Sequence, residues 1–248
     1  MNENTDIQES ALRLRALVRV FVSPGVWGII VLQVLVQVAG RGAPATEEDA
    51  GAAMLRMLFG SIAIVAMLYM QAGVLAALVR TRGSVSIVDV LNSARTVFFS
   101  FVWLVVRAAL VLAGIGMIAG VVVIGSLGTG DPQAIASRLA PFFLATAMLL
   151  PFLFVYWLPH VFVHNDFRLF ATLKQALTLF WQRRTQSWYL AILILLPAVG
   201  AGMLPSATPF AIRLILGGAI MLLAWAANTY CIEWLVTQRQ VSPSPQTK

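Results

Sequence analysis

The stretch from Val97 to Gly120, VFFSFVWLVVRAALVLAGIGMIAG, holds a single charged residue, Arg107, in 24 positions. Roughly 20 apolar residues cross the hydrocarbon of a bilayer. The segment therefore reads as a membrane span, and Arg107 lies either inside it or at its edge. Composition agrees: of 248 residues, 60% are hydrophobic and 11% charged, whereas soluble domains carry about 25% charged residues. A mostly wet surface is excluded, and so is a two-domain soluble protein.

Five further stretches read the same way, giving spans near 20–40, 57–79, 101–127, 141–163, 187–204 and 211–236. Pro151, Pro159 and Pro197 fall inside them, which membrane helices tolerate when neighbours satisfy the freed carbonyls. Glu3, Asp6 and Glu9 precede the first span, which is longer than a signal-peptide core, so it reads as retained rather than cleaved.

Basic residues alternate between the two sides. One side holds Arg13, Arg15, Arg19, Arg80, Arg82, Arg95, Arg168, Lys174, Arg183, Arg184, Arg239 and Lys248, twelve in all. The other holds four, Arg41, Arg56, Arg138 and Arg213, with Glu47, Glu48 and Asp49 beside the first. Cytoplasmic loops are the Lys/Arg-rich ones, so both termini are expected in the cytoplasm. The net charge of +7 thus reads as membrane orientation and not as a nucleic-acid surface.

Amphipathic stretches precede spans 1, 3 and 5: IQESALRLRALVRVF (7–21), SIVDVLNSARTVFF (86–99) and FRLFATLKQALTLFWQRR (167–184). Each places its apolar residues on one helical face and ends in an aromatic pair, Phe21/Trp27, Phe98/Trp103 and Phe180/Trp188. The expectation is an all-α polytopic membrane protein: six transmembrane helices and three cytoplasmic interfacial helices. A helical-hairpin unit repeats three times within one domain of residues 1–240 (about 7–80, 86–163 and 167–237), and 241–248 form a disordered cytoplasmic tail.

The polar loop and "FRLFATLKQALTLFWQRR", followed by "SWYLAILILLPAVGAG", resemble a bacterial six-helix inner-membrane family. It includes the YciC-like proteins and the membrane domain fused to some glycerophosphodiester phosphodiesterases. The resemblance implies a bacterial inner-membrane location and brings no assigned chemistry. It departs at His164-Asn165-Asp166, where a glutamate-containing turn is expected, and no hydrolase domain is attached.

Arg107 has two placements. Inside the span it is an expensive charge and a functional candidate. If 86–103 lie along the interface, span 3 starts near 108 and Arg107 reaches the headgroups; this edge placement is preferred. Glu233, at the cytoplasmic end of span 6, is then a candidate ion-pair partner. Gln33, Gln37, Gln71 and Asn228 either bond across to neighbouring helices or line a polar cavity. Arg13, Arg15, Arg95, Lys174, Arg183 and Arg184 are candidate contacts for anionic lipid. His160 and His164 share a helix face beside Asp166, yet the pattern lacks the glutamate of a zinc motif. Interfacial histidines, with Asn165 or Asp166 capping the next helix, explain them better. Gly116 and Gly120, Gly200 and Gly202, and Gly217 and Gly218 are read as close-packing positions.

Cys231, the only cysteine, excludes disulfide frameworks and CxxC chemistry. No P-loop or GxSxG is present, and no catalytic, cofactor or metal site is assigned. The functional expectation is a scaffold, accessory or lipid-organising membrane protein, partnered by anionic lipid and by a possible membrane protein. A small transporter is the alternative, and a lipid-modifying enzyme ranks third.

Overall fold

The computed structural model describes residues 3–39, 50–127, 155–203 and 209–241, together with 133, 137, 140 and 141. All regular structure among these is helical. In order come α1 (Glu3–Phe21), α2 (Pro24–Ala39), α3 (Ala50–Arg80), α4 (Ile87–Leu127), a helix over 155–164 (α5), α6 (Leu169–Gln182), α7 (Arg184–Met203) and α8 (Phe210–Val241).

Among the described residues, three helices are long and apolar enough to cross a membrane, over Met57–Arg80, Ile87–Val122 and Leu214–Gln240; the bent pair Glu9–Phe21 plus Pro24–Val36 makes a fourth if taken as one span. The protein is membrane-embedded. Its outer shell is the inverse of a soluble one: Met57, Phe99 and Val121 expose 76, 82 and 70% of their surface, an arrangement that only an apolar solvent favours. Most of the expected span 141–163 lies outside the described residues, as does the tail beyond Val241. The expected span 187–204 corresponds to α7, which is helical but not among the three.

The stretches expected as interfacial helices divide by local punctuation. Between α1 and α2 stands Ser23-Pro24-Gly25, where Pro24 is pre-set for a first helical position, and the chain turns by 72°. At Arg183, with φ −116° and ψ 34°, α6 gives way to α7. The expected separate helix over 86–99 does not form. Instead α4 runs unbroken for 41 residues, about 60 Å, because "FSFVWLVVRAA" contains no Pro or Gly to stop it. Ser86 and Asp89 start this helix with a reciprocal box: the Asp89 amide donates to Ser86 Oγ at 3.1 Å and the Ser86 amide to Asp89 Oδ2 at 3.0 Å.

Asn165 plays a different part from the expected cap. Its φ is +51°, and the amides of Asn165 and Asp166 donate to the carbonyls of Phe162 and Val161. That is a Schellman ending for α5. Arg168, and not Asn165 or Asp166, occupies the N-cap of α6, without a side-chain cap.

The core lies where α8 meets α1, α2, α3 and α7 and where α3 meets α4. Ile29, Leu75, Leu78, Phe101, Leu104, Tyr156 and Ile232 are fully buried in it. Two glycines allow the closest approach. A Cβ on Gly73 would lie 2.4 Å from the Val90 carbonyl oxygen, and one on Gly25 would lie 2.5 Å from Val90 Cγ2. Val90 of α4 is thereby wedged between α2 and α3. Four of the glycines expected to pack do not pack closely among the described residues: Gly116, Gly120 and Gly218 have nothing within 4 Å of such a Cβ, and Gly217 meets Val34 at 3.8 Å; the surroundings of Gly200 and Gly202 lie outside the described residues.

Candidate functional site

Charged side chains gather at one end of the helices, centred on Arg19. Arg19 sits in the last turn of α1 and is only 7% exposed. The C-terminal turn of α3 leaves carbonyls without intrahelical donors, and Arg19 supplies them. Nη2 donates to the Leu78 carbonyl at 2.8 Å and to the Thr81 carbonyl, and Nε to the Gly83 carbonyl at 3.1 Å. Nη1 completes the set with Glu233 Oε1 at 3.2 Å. The carboxylate expected to pair with Arg107 is thus taken by Arg19, which joins α1, the end of α3 and α8. Ser23 continues the seam: its Oγ donates to the Arg19 carbonyl at 2.6 Å and accepts from the Val85 amide at 3.0 Å.

A second junction lies along the same end. Arg183 pairs with Glu9 and stands 4.3 Å over the Trp234 ring, so the α6–α7 break is tied to α1 and α8 together. Gln186 donates to the same carboxylate. Arg13 lies 3.8 Å from Glu9 and 6.0 Å over Tyr230. Arg239 Nη1 donates to the Val163 carbonyl at 2.9 Å, finishing α5.

Between these elements opens a polar cleft of about 420 Å³. Arg15, Arg19, Arg80, Arg82 and Glu233 line it over an apolar floor that includes Val79 and Ile232. Arg15 and Arg82 are exposed and form no hydrogen bond or ion pair among the described residues; Arg80 reaches Thr96 Oγ1 at 3.0 Å. On the opposite face of α1, a groove of about 690 Å³ is walled almost entirely by apolar side chains, among them Leu17, Phe21, Trp27, Val34 and Leu222. Helix α1 therefore divides a basic cleft from an apolar groove, as an interfacial helix does.

The remaining expected residues scatter. Arg107 occupies the middle of α4, half-buried. Its guanidinium lies 5.1 Å from the Trp103 ring, and its buried Nε has no hydrogen-bond partner among the described residues. Gln33 accepts from Trp225 Nε1 at 3.2 Å, bridging α2 and α8. Asn228 Nδ2 donates to the Ala224 carbonyl of its own helix, and Gln71 is half-buried on α3. These three line neither the cleft nor the groove, and the side chain of Gln37 is outside the described residues. Arg95, Lys174 and Arg184 are exposed.

The His160 and His164 rings lie 4.2 Å apart, but no metal-binding group of three exists among the described residues. Burial, and then the nearby Arg239 guanidinium, hold His164 below the usual histidine range. Arg168 donates to Asp166 through its guanidinium, at 2.8 Å from Nη2, and through its amide. These bonds keep the Asp166 carboxyl below its ordinary value.

Sequence reasoning counted Arg19, Arg80 and Arg82 only as orientation charges. A local signal for Arg19 did exist. It is the single charge within Ala16–Val20, where it falls on the face of α1 that also carries Ala16 and Val20. Compared with known proteins, the chain matches no family model, no curated protein and no solved structure.

Proposed function

We propose that this chain is a non-catalytic integral membrane protein of the bacterial inner membrane that organises anionic lipid or supports a membrane partner. In this reading both termini are cytoplasmic, and six spans arise from three repeated units. The observation that carries it is the meeting of Arg15 and Arg19 of α1 with Arg80 and Arg82 at the end of the apolar helix α3. Arg56 and Arg213, from the sparsely basic side, lie 24 and 26 residues along α3 and α8 from Arg80 and Arg239, roughly 36 and 39 Å by helical rise. Those spacings suit a hydrocarbon layer of about 30 Å. Basic residues beside anionic lipid contribute about 1 kcal/mol each. The transport reading finds less support, because Gln33 and Asn228 are engaged with Trp225 and with the Ala224 carbonyl.

The test is gentle purification of the full chain, followed by native mass spectrometry of whatever stays bound. Retained anionic lipid supports the lipid-organising form, and a stoichiometric protein supports the accessory form. A preparation that retains neither, and that shows no preference for anionic over neutral vesicles, overturns the reading. Single-cysteine labelling from each side, in a Cys231→Ser background, tests the orientation.

A further inference from the structure

The basic cleft is more selective than a general positive surface. Four arginines and one carboxylate line it, and that carboxylate is committed to Arg19. Arg19 is itself engaged through Nε and Nη2 by the end of α3. Three guanidinium groups, those of Arg15, Arg80 and Arg82, therefore face the cleft without a matching acid. A volume of about 420 Å³ falls in the range of roughly 300–1,000 Å³ usual for small-ligand sites. Guanidinium forks match the oxygens of phosphate bidentately.

A phosphomonoester carries about −1.5 to −2 charges at neutral pH, whereas a phosphodiester carries one. Three cations lining one cleft favour the former. The source of the phosphate follows from α1. Its other face presents Leu14, Val18 and Phe21, exposed by half or more, beside the apolar groove, so an anion in the cleft lies at the level where headgroups lie.

We propose that the cleft formed by Arg15, Arg80 and Arg82 binds the phosphomonoester headgroup of a lipid, with the Arg19–Glu233 pair as its fixed wall. This rests on the lipid-organising reading above.

The test uses the full chain in phosphatidylcholine nanodiscs, titrated with short-chain phosphatidic acid, short-chain phosphatidylglycerol and inorganic phosphate. Arg15→Gln/Arg82→Gln removes two cleft charges; Arg95→Gln/Arg184→Gln removes two exposed charges outside it. The expected result is a preference for phosphatidic acid over phosphatidylglycerol of about tenfold or more, lost in the cleft variant and kept in the control. Arg15→Lys/Arg82→Lys, which keeps charge but not the fork, restores part of it. Because Arg15 and Arg82 are exposed and unbonded, an unchanged unfolding midpoint is expected in all variants.

Equal loss in both glutamine variants overturns the site while leaving the lipid-organising reading intact. No preference for any anionic lipid in the unaltered chain overturns both. Binding of inorganic phosphate with the same arginine dependence, and no gain from the lipid, keeps a phosphate site and overturns its lipid source.

Discussion

Arg19 Nη1 lies 3.2 Å from Glu233 Oε1, an ion pair between residues 214 positions apart. The two side chains are 7 and 11% exposed, so neither charge has water to fall back on. Removing one partner of a buried pair costs about 3–5 kcal/mol. Arg19→Gln is expected near that range, since it also strips donors from Leu78, Thr81 and Gly83. Glu233→Gln is expected to cost less, because those bonds survive. A double-mutant cycle read by thermal unfolding in detergent should give strong coupling between 19 and 233 and none between 107 and 233. Coupling to Arg107 instead would contradict the geometry.

Arg107 predicts the opposite sign. Its buried Nε is unpartnered among the described residues, and its guanidinium lies 5.1 Å from the Trp103 ring. Arg107→Leu should leave the unfolding midpoint unchanged or raise it, because a costly charge is removed from an apolar helix. A loss as large as that of Arg19→Gln would mean that Arg107 has a partner in the membrane.

Gly73→Ala forces a Cβ against the Val90 carbonyl, which cannot move without moving α4. A destabilisation of about 1–3 kcal/mol is expected. Gly120→Ala, which meets nothing within 4 Å among the described residues, should be neutral or slightly stabilising through the better helix propensity of alanine. Equal effects at the two positions would remove Val90 from its place as the wedge.

His164 sets a pH dependence. Its folded-state value lies below the ordinary 6.5, so the unfolded chain binds the proton first. Stability is then fully present above about 6.5 and falls as the pH drops toward the folded value. His164→Gln should flatten that slope. Arg239→Gln should reduce it too, by removing the second cause of the shift. Unfolding midpoints between pH 5 and 8 decide the matter, and a slope of opposite sign would refute it.

Much of the architecture was legible because it is written in local periodicity. The amphipathic stripes over 7–21 and 167–184 correspond to α1 and α6, whereas Pro24 and Gly25, where α2 starts, went unread inside the span expected over 20–40. The continuity of α4 was misread because its first half is as amphipathic as α1 while nothing terminates it. Periodicity reports which face is apolar, not where a helix stops. The site was less legible still. Arg19 and Glu233 are joined only by the folding of helices far apart in sequence, and no short window contains the carbonyls of Leu78 and Thr81. The glycines misled for a related reason: GxxxG announces that a close approach is permitted, whereas Gly25 and Gly73 are needed because Val90 arrives from another helix.

The Arg19 junction also imposes an order in time. At roughly 5–20 residues per second, Glu233 leaves the ribosome about ten to forty seconds after Arg19. The end of α3 is available much sooner, so the carbonyls of Leu78, Thr81 and Gly83 reach Arg19 first and the carboxylate only after a long delay. During that interval Arg19 is a positive charge at the end of α1 without its carboxylate. Once α8 is in place, the same side chain becomes the fastener between the first helix and α8.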